Sequence, residues 1–81
     1  MTDADALSAL DFMSHTEIRA MLRGATQANL LFGWCPYDWG DETFWIVSPP
    51  EAQSSTYTTS EVVEYCRMLA ACGVQPRFRS A

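Results

Sequence analysis

Apolar residues recur along this chain with two different periods. Between Ser14 and Ala25, Ile18, Met21, Leu22 and Ala25 fall three and four apart, which places them on one face of a helix. From Asn29 the period drops to two. Leu30, Phe32 and Trp34 alternate with Leu31, Gly33 and Cys35, and further on Phe44 and Ile46 alternate with Trp45 and Val47, so two strands are predicted. Helical spacing returns over Ser60 to Cys72, where Val62, Tyr65, Cys66 and Leu69 line one side while Glu64 and Arg67 point away. Near the start, Ala6, Leu7, Leu10 and Met13 make another stripe, predicting a short helix over Ala4 to Phe12 with Thr2 or Asp3 as its N-cap.

The polar residues between these stripes mark where elements begin and end. Ser14 to Glu17 has the spacing of a capping box, in which each side chain bonds the other residue's backbone amide, and Thr58 to Glu61 repeats it. Gly24 offers a left-handed stop for the first capped helix. Gly73 offers the same for the last helix, with Val74 packing back and Pro76 preventing continuation. Cys35 to Glu42 contains Pro36, Gly40 and an acidic pair, and reads as the turn between the two strands. Pro49-Pro50 ends the second strand. Glu51 to Thr59 is polar and without period, a loop, and Gln75 to Ser80 reads as a short third strand with Arg77 and Arg79 on one face and Phe78 on the other.

The resulting order, α-α-β-β-α-β, predicts one small α+β domain over residues 1–81, with a three-stranded sheet and helices packed on one face. The last strand is expected either parallel to the second, through a right-handed crossover, or antiparallel beside the first. Both faces of the hairpin strands carry apolar groups. Helices would cover one face, and a second copy of the chain is the expected cover for the other.

Composition narrows the function classes. With 81 residues, 48% hydrophobic, the chain has enough apolar material for one core, which excludes a disordered chain, but little room for a deep cleft. Ten carboxylates oppose five basic groups, all arginine, and they are unevenly spread. Residues 1–64 hold all ten acids with only Arg19 and Arg23, a formal −8, whereas residues 65–81 hold Arg67, Arg77 and Arg79, a formal +3. An acidic body repels phosphate, so direct binding of nucleic acid or of an anionic membrane is not expected. There is no run of 18 apolar residues and no basic segment ahead of an apolar one, so a cytoplasmic protein without a secretion signal or membrane span is expected.

Candidate chemistry is sparse. Cys35, Cys66 and Cys72 are odd in number and form no CxxC, and one histidine supplies no ligand cluster, so neither a disulfide framework nor a metal site is expected. His15 stands near Asp11 and Glu17, yet no nucleophile is held beside it by the sequence, and it reads as a solvent-facing residue at a helix start. No catalytic residue, cofactor or enzymatic activity is expected.

Recognition is the remaining class. Six aromatic residues lie between Phe32 and Trp45, and strand alternation cannot bury them all. Tyr37 and Trp39, assigned to the turn and flanked by Asp38, Asp41 and Glu42, have the composition of a protein-binding hot spot, where large aromatics give the energy and charges select the partner. Asp3, Asp5 and Asp11 extend the acidic surface. The expected partner is a larger protein with a basic surface, of the kind that belongs to a nucleic-acid-binding complex, engaged by carboxylates standing in for phosphates. In size, acidity and absence of a catalytic motif the chain resembles small phage-encoded inhibitors, including anti-CRISPR proteins. That resemblance implies an inhibitor acting inside a bacterial host cell and assigns no residue roles. The alternative is a homodimeric structural or adaptor module whose dimer contact is the hairpin's second apolar face.

Overall fold

A computed structural model describes residues 13–79. The helix expected over Ala4 to Phe12, and Asp3, Asp5 and Asp11 with it, lie outside the described residues. The described elements are α1 (His15–Gln27), β1 (Gly33–Trp39), β2 (Glu42–Ser48), β3 (Ser55–Thr58) and α2 (Thr59–Ala71), in an α+β arrangement. The sheet has three antiparallel strands in the order β1-β2-β3.

Both helices begin where their capping boxes place them. The Ser14 amide donates to Glu17 Oε1 at 3.0 Å and the Glu17 amide to Ser14 Oγ at 3.1 Å. Thr58 and Glu61 repeat the exchange at 2.9 and 3.2 Å. Each box satisfies two of the amides that a helix start leaves unpaired. α2 stops as expected, with Gly73 at φ 92° and the Val74 amide donating to the Leu69 carbonyl at 3.0 Å.

Gly24 does not stop α1, which runs on to Gln27, and Asn29 at φ 63° takes the left-handed position instead. Gly24 is buried within the helix, and a Cβ there would collide with the carbonyl oxygen of Gln75. The chain after α2 therefore crosses α1 at close range, through a notch that only glycine leaves open. The Arg77 amide then donates to the Ala20 carbonyl at 2.8 Å, and Arg23 Nε donates to the Arg77 carbonyl at 2.8 Å. Gln75 to Arg79 is thus a strap along a helix and not the third strand. The amide and carbonyl of Arg77 find their partners on α1 and not on a sheet edge.

The third strand is Ser55–Thr58, inside the segment that reads as a loop. Thr56, Tyr57 and Thr58 are β-prone, but only Tyr57 carries an apolar signal, so no alternation shows. Tyr57 lies opposite Trp45, and its ring stacks on Tyr65 of α2 at 5.6 Å, which anchors the strand between sheet and helix. Because β2 is central and β3 follows by a short return, every strand pair is antiparallel and no crossover is needed.

The core lies between the helices and one face of the sheet. Ile18, Leu22, Trp45, Val47 and Val62 are almost wholly buried there, with Leu31, Met21, Leu69 and Cys66 packed around them. Trp45 contributes most, because an indole buries the largest apolar area of any side chain.

Candidate functional site

The hairpin turn is shorter than its sequence predicts. β1 continues through Pro36 to Trp39, and Trp39 pairs with Glu42 across a two-residue loop of Gly40 and Asp41. Gly40 has φ 65° and Asp41 does not share a positive φ, the glycine-first arrangement of a type II′ turn, whose twist matches that of the strands. Pro36 is tolerated because β1 is an edge strand: alternation outward from the turn leaves its missing amide on the solvent side of the ladder. The same missing donor guards that edge against pairing with another strand.

This register divides the five tip residues expected to act together. Residues directly opposite share a face, so Tyr37 and Phe44, with Trp39 and Glu42, lie on the face away from the helices, and Asp38 and Thr43 lie on the other. Tyr37 and Trp39 are strand residues, and Asp41 alone of the acids sits in the turn. Trp39 is 74% exposed, and Tyr37, 39% exposed, stacks on Phe44 with ring centres 5.6 Å apart. Cys35 and half-buried Ile46 continue the same face. The result is an aromatic strip ending in Trp39, with Glu42 and Asp41 at its tip.

Asp38 has a different task. Its Oδ1 accepts from the Thr43 hydroxyl at 2.8 Å, a cross-strand pair that braces the hairpin just short of its turn. From there a relay runs inward. The Thr43 carbonyl accepts from the Thr59 hydroxyl at 3.1 Å, and that hydroxyl accepts from the Trp45 indole at 3.1 Å. The hairpin tip is thereby tied to the first turn of α2.

Beside this relay is a small polar hollow of about 280 Å³ lined by His15, Asp41, Glu42, Thr43, Thr59 and Ser60. His15 stands at the start of α1, exposed on one side and set edge-on against Trp45 on the other, with ring centres 5.3 Å apart at 87°. The expectation of a simply solvent-facing histidine misses this contact, and nothing in the local sequence signals it. Among the described residues no group of three or more histidines, cysteines or carboxylates is placed to hold a metal ion. A second hollow, of about 330 Å³, lies between α1, α2 and the strap, with Met13, Met21, Cys66, Val74 and Phe78 on its walls.

The cysteines are all free. Cys35 and Cys72 are exposed, whereas Cys66 is buried among apolar side chains that push its thiol up to about 12. It is held neutral as a core residue. Tyr65 is also raised, first by burial and then by Tyr57 and Cys66 nearby. Glu17 is lowered by the Ser14 amide and hydroxyl of its capping box. None of these shifts gathers acid, base and nucleophile around one point.

Comparison with protein-family models, curated proteins and solved structures found no match. Among the described residues no helix is long and apolar enough to cross a membrane.

Proposed function

We propose that this protein is a binding module whose open sheet face and hairpin tip engage a basic surface on a larger protein, acting as an inhibitor of the anti-CRISPR kind on a nucleic-acid-binding partner. The observation that carries this reading is Trp39, 74% exposed at the end of a rigid strand beside Asp41 and Glu42. An exposed tryptophan gains free energy mainly when a partner buries it, and the neighbouring carboxylates select a partner of opposite charge. The charge of the whole sheet agrees. From Gly33 to Thr58 the chain carries Asp38, Asp41, Glu42 and Glu51 and no arginine, lysine or histidine. A basic groove that ordinarily holds phosphates would be attracted to this face before contact, and salt would weaken the attraction.

The rigid hairpin adds to the reading. The cross-strand bond from Thr43 to Asp38 and the relay to α2 restrain the tip, which lowers the ordering entropy lost on binding. Asp38 is a bracing residue in this reading, while Tyr37, Trp39, Asp41 and Glu42 make the contact.

The test is capture from a bacterial lysate with the tagged protein, followed by binding measurements on the purified partner. Trp39→Ala is expected to weaken binding by ten-fold or more, as hot-spot truncations of about 2 kcal/mol do. Asp41→Lys with Glu42→Lys should abolish it, and added nucleic acid should compete. A partner bound equally well by all these variants, or one whose nucleic acid does not compete, would overturn the proposal.

A further inference from the structure

We infer that the exposed ridge of α1 is a two-fold interface on which a second copy of this chain docks, the acidic hairpin tip of each copy meeting an arginine cluster on the other. The inference is independent of the partner reading above, although it uses the same tip.

The strap creates the arginine cluster. Arg19 and Arg23 are one turn apart on α1, and the strap tied at Ala20 and Arg23 brings the Arg77 backbone alongside them, with Arg79 two residues further on. Four of the five arginines of the chain are thus drawn to one region. Among the described residues none of these four has a carboxylate partner, and Arg23 donates to a backbone carbonyl. Like charges gathered with no counter-charge among the described residues suit an anionic surface.

The acidic tip lies on the same side of the molecule. Asp41 and Glu42 line one hollow with His15, and His15, Arg19 and Arg23 follow one another at four-residue intervals along α1. Acid therefore stands at the start of the ridge and base four and eight residues on, about 6 and 12 Å away at the helical rise of 1.5 Å per residue. A ridge negative at one end and positive at the other is complementary to itself when turned by 180°. An antiparallel approach of two α1 helices places each tip over the other copy's arginines, and the two-fold axis closes the assembly at a dimer. Arginine suits the tip, because its planar fork pairs with carboxylates. The neutralised charges are exposed, so the dimer is expected to be salt-sensitive.

Sedimentation of the full chain tests this, with a charge swap as the decisive step. At low salt, the 9.1 kDa chain is expected to sediment as a monomer–dimer equilibrium that shifts to monomer as ionic strength passes about 0.1 M, where the screening length is about 10 Å. Asp41→Lys/Glu42→Lys and Arg19→Glu/Arg23→Glu variants should each be monomeric at low salt. Mixed in equal amounts they should form a heterodimer, since each contact is restored with its signs exchanged. Because Arg23 also ties down the strap, Arg19→Glu/Arg79→Glu serves as a second basic-side variant that leaves that bond in place. Wild type that stays monomeric at low salt, single variants that still dimerise, or mixtures that show no recovery with either basic-side variant would overturn the inference. Lysate capture reads the partner proposal separately, so either can fail alone.

Discussion

The indole N–H of Trp45, fully buried at the centre of the sheet, donates to the hydroxyl of Thr59 at 3.1 Å, and that hydroxyl donates on to the carbonyl of Thr43. One hydroxyl at the start of α2 thus serves two residues of β2, as acceptor to one and donor to the other. It lets the largest residue of the core be buried without leaving its one polar atom unpaired.

Thr59→Val is expected to destabilise the fold by about 1–2 kcal/mol, because the isosteric methyl leaves the Trp45 donor unsatisfied in the core. Thr59→Ser, which keeps the hydroxyl, should cost less than half of that. Urea unfolding followed by tryptophan fluorescence measures both. Equal losses for serine and valine would mean that the methyl group, not the hydrogen bond, matters at this position.

Gly24→Ala should be destabilising by about 1–3 kcal/mol, although alanine is the better helix former by about 1 kcal/mol. The new methyl group meets the Gln75 carbonyl, so the strap must lift off α1. Thermal unfolding gives the stability change. Hydrogen exchange should show the Arg77 amide, normally bonded to Ala20, losing protection first. A variant as stable as wild type would show that the strap yields at no cost.

Acid should loosen the start of α1 through Glu17. Its carboxyl titrates below 4.5 in the folded chain because the Ser14 amide and hydroxyl bond the ionised form. A lowered folded-state value means that the stabilisation is present above the unfolded value and is lost as pH falls through the folded one. The group is exposed, so the effect is small. Glu17→Gln should flatten the wild-type dependence of stability on pH below about 4.5, chiefly by lowering stability slightly at pH 7. An unchanged acid limb in that variant would rule the capping box out as its source.

Alkylation at neutral pH should separate the cysteines. Cys35 and Cys72 are exposed and expected to react within minutes, while Cys66, buried and pushed up to about 12, should react only on unfolding. Mass spectrometry of the native protein after a short iodoacetamide pulse should therefore show two modified sites. Rapid labelling of Cys66 would mean that the helix pair opens readily.

What the chain could reveal by itself is what depends on neighbours a few residues apart. Both capping boxes, the end of α2 at Gly73, β2 and the α+β class follow from local spacing and turn chemistry, whereas β1 lies at Gly33–Trp39, mostly within the stretch that reads as a turn. The composition of the tip pointed to Tyr37, Asp38, Trp39, Asp41 and Glu42 together, without showing that register parts Asp38 from the others. Tertiary structure decided the rest. Ser55–Thr58 is a strand because β2 offers it a ladder and Tyr65 a ring to stack on, neither of which shows in a polar stretch. Gly24 is a notch and not a stop because a segment fifty residues later lies across it. Asp38 parts company with Trp39 because strand register, set by a loop two residues long, sends adjacent side chains to opposite faces. A sequence carries its short-range bonds openly, but it does not display which distant backbone will supply a partner, and at this protein's turn, strap and third strand that partner determines what each residue does.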